Sequence, residues 1–320
     1  MHPIRFFPFL RALAAAFTAA LLLQPLAHAQ TPSQLRIGFQ KGASLLVLQK
    51  AQGSLEKKLA PLGFGVKWVE FPAGPQLLEG LNVGSVDLGF VGEAPPIFAQ
   101  AAGARFFYVG VDPAAPKAEA LVVPKDSPIK TVADLKGRKI ALNKGSNVHY
   151  LLVKLLEKNG LKLTDVQPVY LPPADARAAF ESKSVDAWVI WDPFTAAAEK
   201  QIGARVLADA TGVANNHQFY LAERGFAEKN PQVIRAVFED SVEKGQWVKA
   251  HLREAAELIA PIQGLPVDVA ELSLRRYEFN VKPLDDRVVA EQQKIADTFH
   301  ALKLIPKPIS VREATWKAAQ

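Results

Sequence analysis

The chain has 320 residues, 49% of them hydrophobic and 22% charged, which is enough for two domains with sizeable cores. Its net charge of +6 is spread along the chain with no run of five or six like charges, which argues against a nucleic-acid binder with a clustered basic stripe. It contains no Cys, so disulfides, thiolate zinc sites, iron–sulfur clusters and Cys nucleophiles are excluded.

Residues 1–29 read as a secretory signal peptide. Arg5 and Arg11 supply the basic start, Ala12 to Leu23 the apolar stretch, and Ala27-His28-Ala29 an A-x-A cleavage site. The apolar stretch is shorter than the roughly 20 residues a spanning helix needs, so cleavage after about Ala29 is expected. Without Cys there is no lipobox.

The spacing then predicts a strand at Leu35 to Gln40 and a helix from Leu45 to about Leu59, with Leu48, Ala51, Leu55 and Leu59 on one face. A strand at Gly65 to Phe71, a helix from about Gln76 to Leu81 and a strand at Ser85 to Gly92 follow. Next come a helix whose first turn holds Pro95 and Pro96, and a strand at Arg105 to Val111. This alternation implies a mostly parallel sheet with helices on both faces. A proline-rich stretch from Val111 with a lone strand at Ala120 to Val123 reads as a crossover between domains. The rhythm restarts with "TVADLKGRKIAL", then a helix with Val148, Leu151, Leu152, Leu155 and Leu156 on one face, closed by Gly160. "VQPVYL", "ADARAAFES" and "SVDAWVIW" continue as strand, helix and strand. "QFYLA" (Gln218 to Ala222) reads as a return strand, and the chain from about Pro231 as mainly helical to Gln320.

Two stretches echo each other. "SVDLGFVGEAP" from Ser85 matches "SVDAWVIWDPF" from Ser184, pairing Asp87 with Asp186 and Glu93 with Asp192. "QKGAS" (Gln40 to Ser44) likewise matches "NKGSN" (Asn143 to Asn147). Ligands of open α/β sheets collect at the carboxyl ends of the strands, so matched loops suggest two lobes facing one cleft.

The chemistry legible in these loops is binding. Gly145 permits a close turn, Ser146 is a good N-cap, and the free amides of the first helical turn favour an anion in front of them. A plain capped helix explains the same residues. The order Lys-Gly-Ser is not the G-x-x-x-x-G-K-[ST] of a nucleotide loop. Gly92 allows close backbone approach, Glu93 and Asp192 suit helix caps or ligand contacts, Trp191 offers a flat apolar wall, and Gln40 an amide donor. A paired acid and base from Glu93 and Asp192 would be glycosidase-like, but capping explains both carboxylates more simply. The mature chain keeps His149, His217, His251 and His300, none at a metal-ligand spacing, and no G-x-S-x-G elbow is present.

"LRIGFQKG", "WVEFPAGPQLLEGLNVGSVDLG", "PPIFAQAAGA", "KTVADLKGRKIALNKGS", "PADARAAF" and "VDAWVIWDPF" together resemble the periplasmic aliphatic-sulfonate-binding proteins, the solute receptors of ABC-type sulfonate importers. The resemblance runs from about Leu35 to Trp316. It implies a two-lobed type II periplasmic-binding-protein fold, α/β with helices on both faces of its sheets and a ligand cleft between the lobes. Residues 35–118 plus 223–320 would form lobe one and 119–222 lobe two. It also implies a non-enzymatic, monomeric receptor in the periplasm, with an organosulfonate as ligand and an inner-membrane permease as partner. No cofactor, metal, catalytic residue or nucleic acid is expected.

A sulfonate has three acceptor oxygens and one charge. Gln40, Ser146, Asn147 and the amides around Gly92 and Val148 would meet the oxygens. Trp191 and Phe219 would wall an alkyl tail. Glu93 and Asp192 would disfavour a doubly charged phosphonate, or pair with an amine tail. Where relatives carry Ser-Thr-Gly-Asp this chain has "FVGE" (Phe90 to Glu93), a departure that bears on ligand preference. The alternatives are a taurine, sulfate or nitrate receptor of the same fold and, more remotely, a secreted hydrolase using Glu93 and Asp192.

Overall fold

A computed structural model describes residues 33–317; the signal-like segment lies outside the described residues. Its backbone alternates strands and helices from the start: β1 (Ser33–Phe39), α1 (Ser44–Gln52), α2 (Ser54–Leu59), β2 (Phe64–Glu70), α3 (Gly74–Asn82), β3 (Leu88–Gly92), α4 (Pro95–Ala101) and β4 (Phe106–Asp112). The single helix expected over 45–59 is two helices. Gly53 breaks it with φ +58°, a left-handed conformation that glycine adopts freely. Leu55 and Leu59 remain buried on the same core.

The second half follows with β5 (Glu119–Val123), β6 (Lys139–Leu142), α5 (Asn147–Lys158), β7 (Gln167–Tyr170), α6 (Pro173–Glu181), β8 (Ala187–Trp191), α7 (Phe194–Ile202) and β9 (Arg205–Asp209). β10 (Gln218–Glu223), α8 (Arg224–Lys229), α9 (Pro231–Ala250), α10 (Leu252–Gln263), α11 (Val267–Leu274) and α12 (Asp286–Ala301) complete it. The C-terminal run is helical only to Ala301, apart from a short 3₁₀ turn at Val311–Ala314. β9 has no counterpart in the sequence reading.

The strands form two five-stranded sheets in the same pattern, β2-β1-β3-β10-β4 and β7-β6-β8-β5-β9. β1 runs parallel to β3, and β6 parallel to β7 and β8. The fourth strand of each sheet is the one that enters from the other, and it runs antiparallel to both neighbours: β10 against β3 and β4, β5 against β8 and β9. The sheets are therefore mixed. The return strand, expected with residues 119–222, pairs in the first sheet.

The echo between the halves is carried by one device. The amide of Asp87 donates to the Arg36 carbonyl, and the Asp87 carboxylate accepts from the Arg36 amide, both at 2.8 Å. Asp186 and Lys139 repeat both bonds at 2.8 Å. Each aspartate, just ahead of β3 or β8, thus ties the entry of its strand to the parallel neighbour, β1 at Arg36 or β6 at Lys139.

Packing follows the two-residue period of the strands. On β10, Tyr220 and Ala222 face the core built with α1, α9 and α10, whereas Phe219 and Leu221 face the core with α3, α4 and α12. The second sheet has its own core around Trp188, Leu151 and Leu155.

The two aspartates differ in burial, with side-chain exposures of 8% for Asp87 and 36% for Asp186. Asp87→Ala should therefore cost about 2 kcal/mol and Asp186→Ala less than about 1 kcal/mol. Urea unfolding midpoints of the two variants check the order.

Candidate ligand-binding site

The carboxyl ends of β1, β3 and β8 and the start of β10 meet the first turn of α5 around a cavity of about 20 Å³. That is room for about one water, so the two lobes lie closed on each other. Gln40, Gly42 and Ala43 enter from the β1–α1 turn, Phe90 and Gly92 from β3, and Gln218 from β10. Asn147 and Trp191 enter from the second lobe, and Tyr277 from beyond α11. No lining side chain is charged. Lys144, in the same turn as Asn147, points elsewhere and stands 5.4 Å from the centre of the Tyr170 ring.

Both matched turns end in a helix start. The Asn147 and Val148 amides of α5 carry no hydrogen bond among the described residues, nor do the Leu45 and Leu46 amides of α1. Such first-turn amides, with the helix dipole behind them, form a donor set for an anion. Gln40 adds to it. Its Nε2 donates one proton to the Phe90 carbonyl at 3.1 Å and has a second to give.

Asn147 is held by a buried network. Its Nδ2 donates to Glu119 at 3.0 Å and to Asn216 Oδ1 at 2.7 Å, and Gln218 Nε2 donates to the same Asn216 oxygen at 2.8 Å. The other end of Asn147 presses on bare backbone: a Cβ on Gly92 would lie 2.3 Å from Asn147 Oδ1.

Residues 28–262 match the model of the NMT1-like family. The chain is 49% identical over 291 residues to an aliphatic sulfonates-binding protein of Escherichia coli (strain K12), with 91% of each chain covered. This chain belongs to the aliphatic-sulfonate-binding proteins of the NMT1-like family.

Solved structures of that family superpose over nearly the whole chain. The alkanesulfonate-binding protein SsuA from Xanthomonas axonopodis pv. citri, bound to MOPS, is 45% identical with a TM-score of 0.86, covering 91% of this chain and 100% of its own. The periplasmic aliphatic sulphonate binding protein SsuA from Escherichia coli is 49% identical with a TM-score of 0.82, covering 90% and 94%. These matches carry the two-lobed periplasmic-binding-protein fold onto this member of the family.

Of the residues singled out in the sequence, Gln40, Gly92, Asn147 and Trp191 meet at this cavity. The others do not line it, each for a local reason. Ser146 occupies the N-cap position, but its hydroxyl donates to the Asn143 carbonyl at 2.7 Å, so its one proton is already committed. The Val148 side chain is part of the second-lobe core and leaves only its amide for the cleft. Phe219 lies one residue past Gln218 and so faces the opposite side of the sheet, edge-on to Tyr108. In the "FVGE" loop the same alternation places Phe90 at the cavity and Val91 in the core behind it.

Glu93 caps no helix. It is buried on the α12 side, where it accepts from the His217 amide at 2.9 Å, and it lines a separate cavity of about 300 Å³ with Glu291 and Tyr150. Asp192 is fully buried. It accepts from the Ala196 amide at 2.9 Å and from Arg276, so both of its oxygens have partners. The two carboxylates therefore present no acid–base pair to the ligand cavity. Gln218, Tyr277, Glu119 and Asn216 were not legible in the sequence. Period two from Tyr220 would have found Gln218, whereas Tyr277 reaches the site only through the tertiary fold.

Glu93 and Glu119 are both buried, and Oε1 of each has no hydrogen-bond partner among the described residues. Burial pushes Glu93 up to about 7, against the pull of the His217 and Asn216 amides. Burial, followed by the nearby charge of Glu93, drives Glu119 well above the carboxylate range. A carboxyl whose folded pKa is raised stabilises the fold fully below its unfolded value, and that contribution is lost as pH rises through the folded value. For Glu93 the window runs from 4.5 to about 7. Glu93→Gln should therefore gain stability relative to the parent chain as pH rises from about 5 to about 8. Thermal melts of both proteins across that range check the sign.

Proposed function

We propose that the protein is a periplasmic receptor that captures alkanesulfonates between its lobes and delivers them to an ABC-type importer for sulfur acquisition. One observation carries this reading. The cavity between the lobes is lined by uncharged donors, by Asn147 with its open helix-start amide and by aromatic rings, and by no charged side chain. A sulfonate stays singly charged across physiological pH, so the donors need to supply direction and partial charge but no proton or counter-ion. Phe90, Trp191 and Tyr277 would wall the organic tail. The Xanthomonas relative supports the same chemistry, because the MOPS bound to it is itself a propanesulfonate.

In this reading the chain is exported with cleavage after about Ala29 and works as a monomer. The lobes part about the two crossovers, 113–118 and 210–217, to admit a group larger than a single water. The permease would take the closed form. The protein holds its ligand and releases it unchanged.

Calorimetry with alkanesulfonates of increasing length, taurine, sulfate and nitrate tests the reading. One-to-one binding of alkanesulfonates is expected; binding of sulfate or nitrate with no organosulfonate bound would overturn it. Gln40→Ala should weaken alkanesulfonate binding by about 1.5 kcal/mol or more, roughly tenfold, through loss of a hydrogen bond to a charged group. Ser146→Ala should change affinity far less, because the Ser146 proton serves Asn143.

A further inference from the structure

The lobes touch at a second place, outside the ligand cavity. There α11 lies against α7, with Val269 packed on Ala196 and Ala197. Just past α11, the guanidinium of Arg276 reaches the second lobe. Its Nη1 donates to both oxygens of Asp192 at 3.2 Å, and its Nη2 donates to Glu199. The Arg276 side chain is 15% exposed and that of Asp192 is 0% exposed. The first-lobe turn closes over the same spot: a Cβ on Gly42 would lie 2.8 Å from the Asp192 carbonyl oxygen.

Each partner is the chain neighbour of a residue at the ligand cavity. Asp192 follows Trp191, and Arg276 precedes Tyr277. The two aromatic rings cannot meet around a ligand without bringing Asp192 and Arg276 together. Parting the lobes would separate Arg276 from both carboxylates. When the lobes close, Asp192 is buried, and without Arg276 it would be an uncompensated charge in a medium of low polarity. The pair is therefore a contact that the closed arrangement makes between the lobes.

We propose that Arg276 is a positioning residue for ligand capture, which fixes the closed lobes through Asp192 and Glu199 and so sets ligand affinity without touching the ligand. This rests on the alkanesulfonate-receptor reading, and the experiment separates the two. Stopped-flow tryptophan fluorescence with 1-propanesulfonate and MOPS gives the association and dissociation rates of the full mature chain. Arg276→Gln should raise the dissociation rate at least tenfold while the association rate stays within about threefold. Arg276→Lys should recover part of the loss. The decisive variant is Arg276→Gln with Asp192→Asn, which removes the fully buried carboxylate along with its partner and should bind more tightly than Arg276→Gln alone. A role in packing only would give no such recovery. Arg253→Gln is the control, since Arg253 makes exposed pairs with Glu257 and Glu271 and should leave both rates unchanged. Small-angle scattering at saturating ligand should show the parent chain closed and Arg276→Gln partly open. An unchanged dissociation rate in Arg276→Gln, or no recovery in the double variant, overturns the proposal. A parent chain that binds neither sulfonate overturns the receptor reading instead.

Discussion

A helix start leaves amides that nothing within the helix can satisfy, and this molecule brings the turn before α1 and the first residue of α5 to one cavity. The turns after β1 and β6 bring α1 and α5 together from opposite lobes. Buried amides without acceptors are costly, so a closed cleft of this kind calls for an acceptor-rich guest. The rest of the architecture serves that meeting. The equivalent sheets place their strand ends against each other, and the strand each sheet receives from the other keeps the two turns in register. No lysine or arginine enters the cavity, so the guest is met by direction and dipole and need not be neutralised.

The sequence revealed this plan where a repeat was visible. The "QKGAS" and "NKGSN" turns and the correspondence of Asp87 with Asp186 were legible because the same local problem is solved twice with similar residues, although the bonds that the aspartates make were not. The helix-start turns also carried Gln40 and Asn147. Strand ends were less transparent. Glu93 and Phe219 each sit one residue away from a cavity-lining neighbour, and in a strand one residue is a change of face. The register needed to choose the face comes from pairing with β4 and β10, which lies far off in the chain. Tyr277 and Arg276 sit in a helical tail whose own pattern says only that it packs somewhere; their roles exist because the tail lies against both lobes.

The buried carboxylates show how the cleft floor differs from the cleft wall. Asp192 is met by a guanidinium and an amide. Glu93 and Glu119 are met by neutral amides alone, and each keeps one bare oxygen. Two buried carboxyls close together favour holding a proton over carrying two charges. Burial raises both above the ordinary carboxylate range, which lessens the negative charge that an anion above Asn147 and Gly92 would meet. Glu93 also ties the second crossover to the first lobe through the His217 amide, and Asn147, which donates to Glu119, holds Asn216 of the same crossover, so the floor of the site is part of the joint between the lobes.

Gly42 and Gly92 give the cleft its depth. Each belongs to the first lobe, and each meets the second lobe with bare backbone, one at the Asp192 carbonyl and one at the Asn147 side chain. They act as the stops of a hinge made as thin as a polypeptide allows. Any larger residue at either stop would hold the door ajar by the width of a methyl group, and the volume left between the lobes would rise accordingly. Within this fold, the size of the captured molecule can thus be tuned from two lining positions that present no side chain to it, which separates how large a ligand is accepted from which side chains recognise its head group.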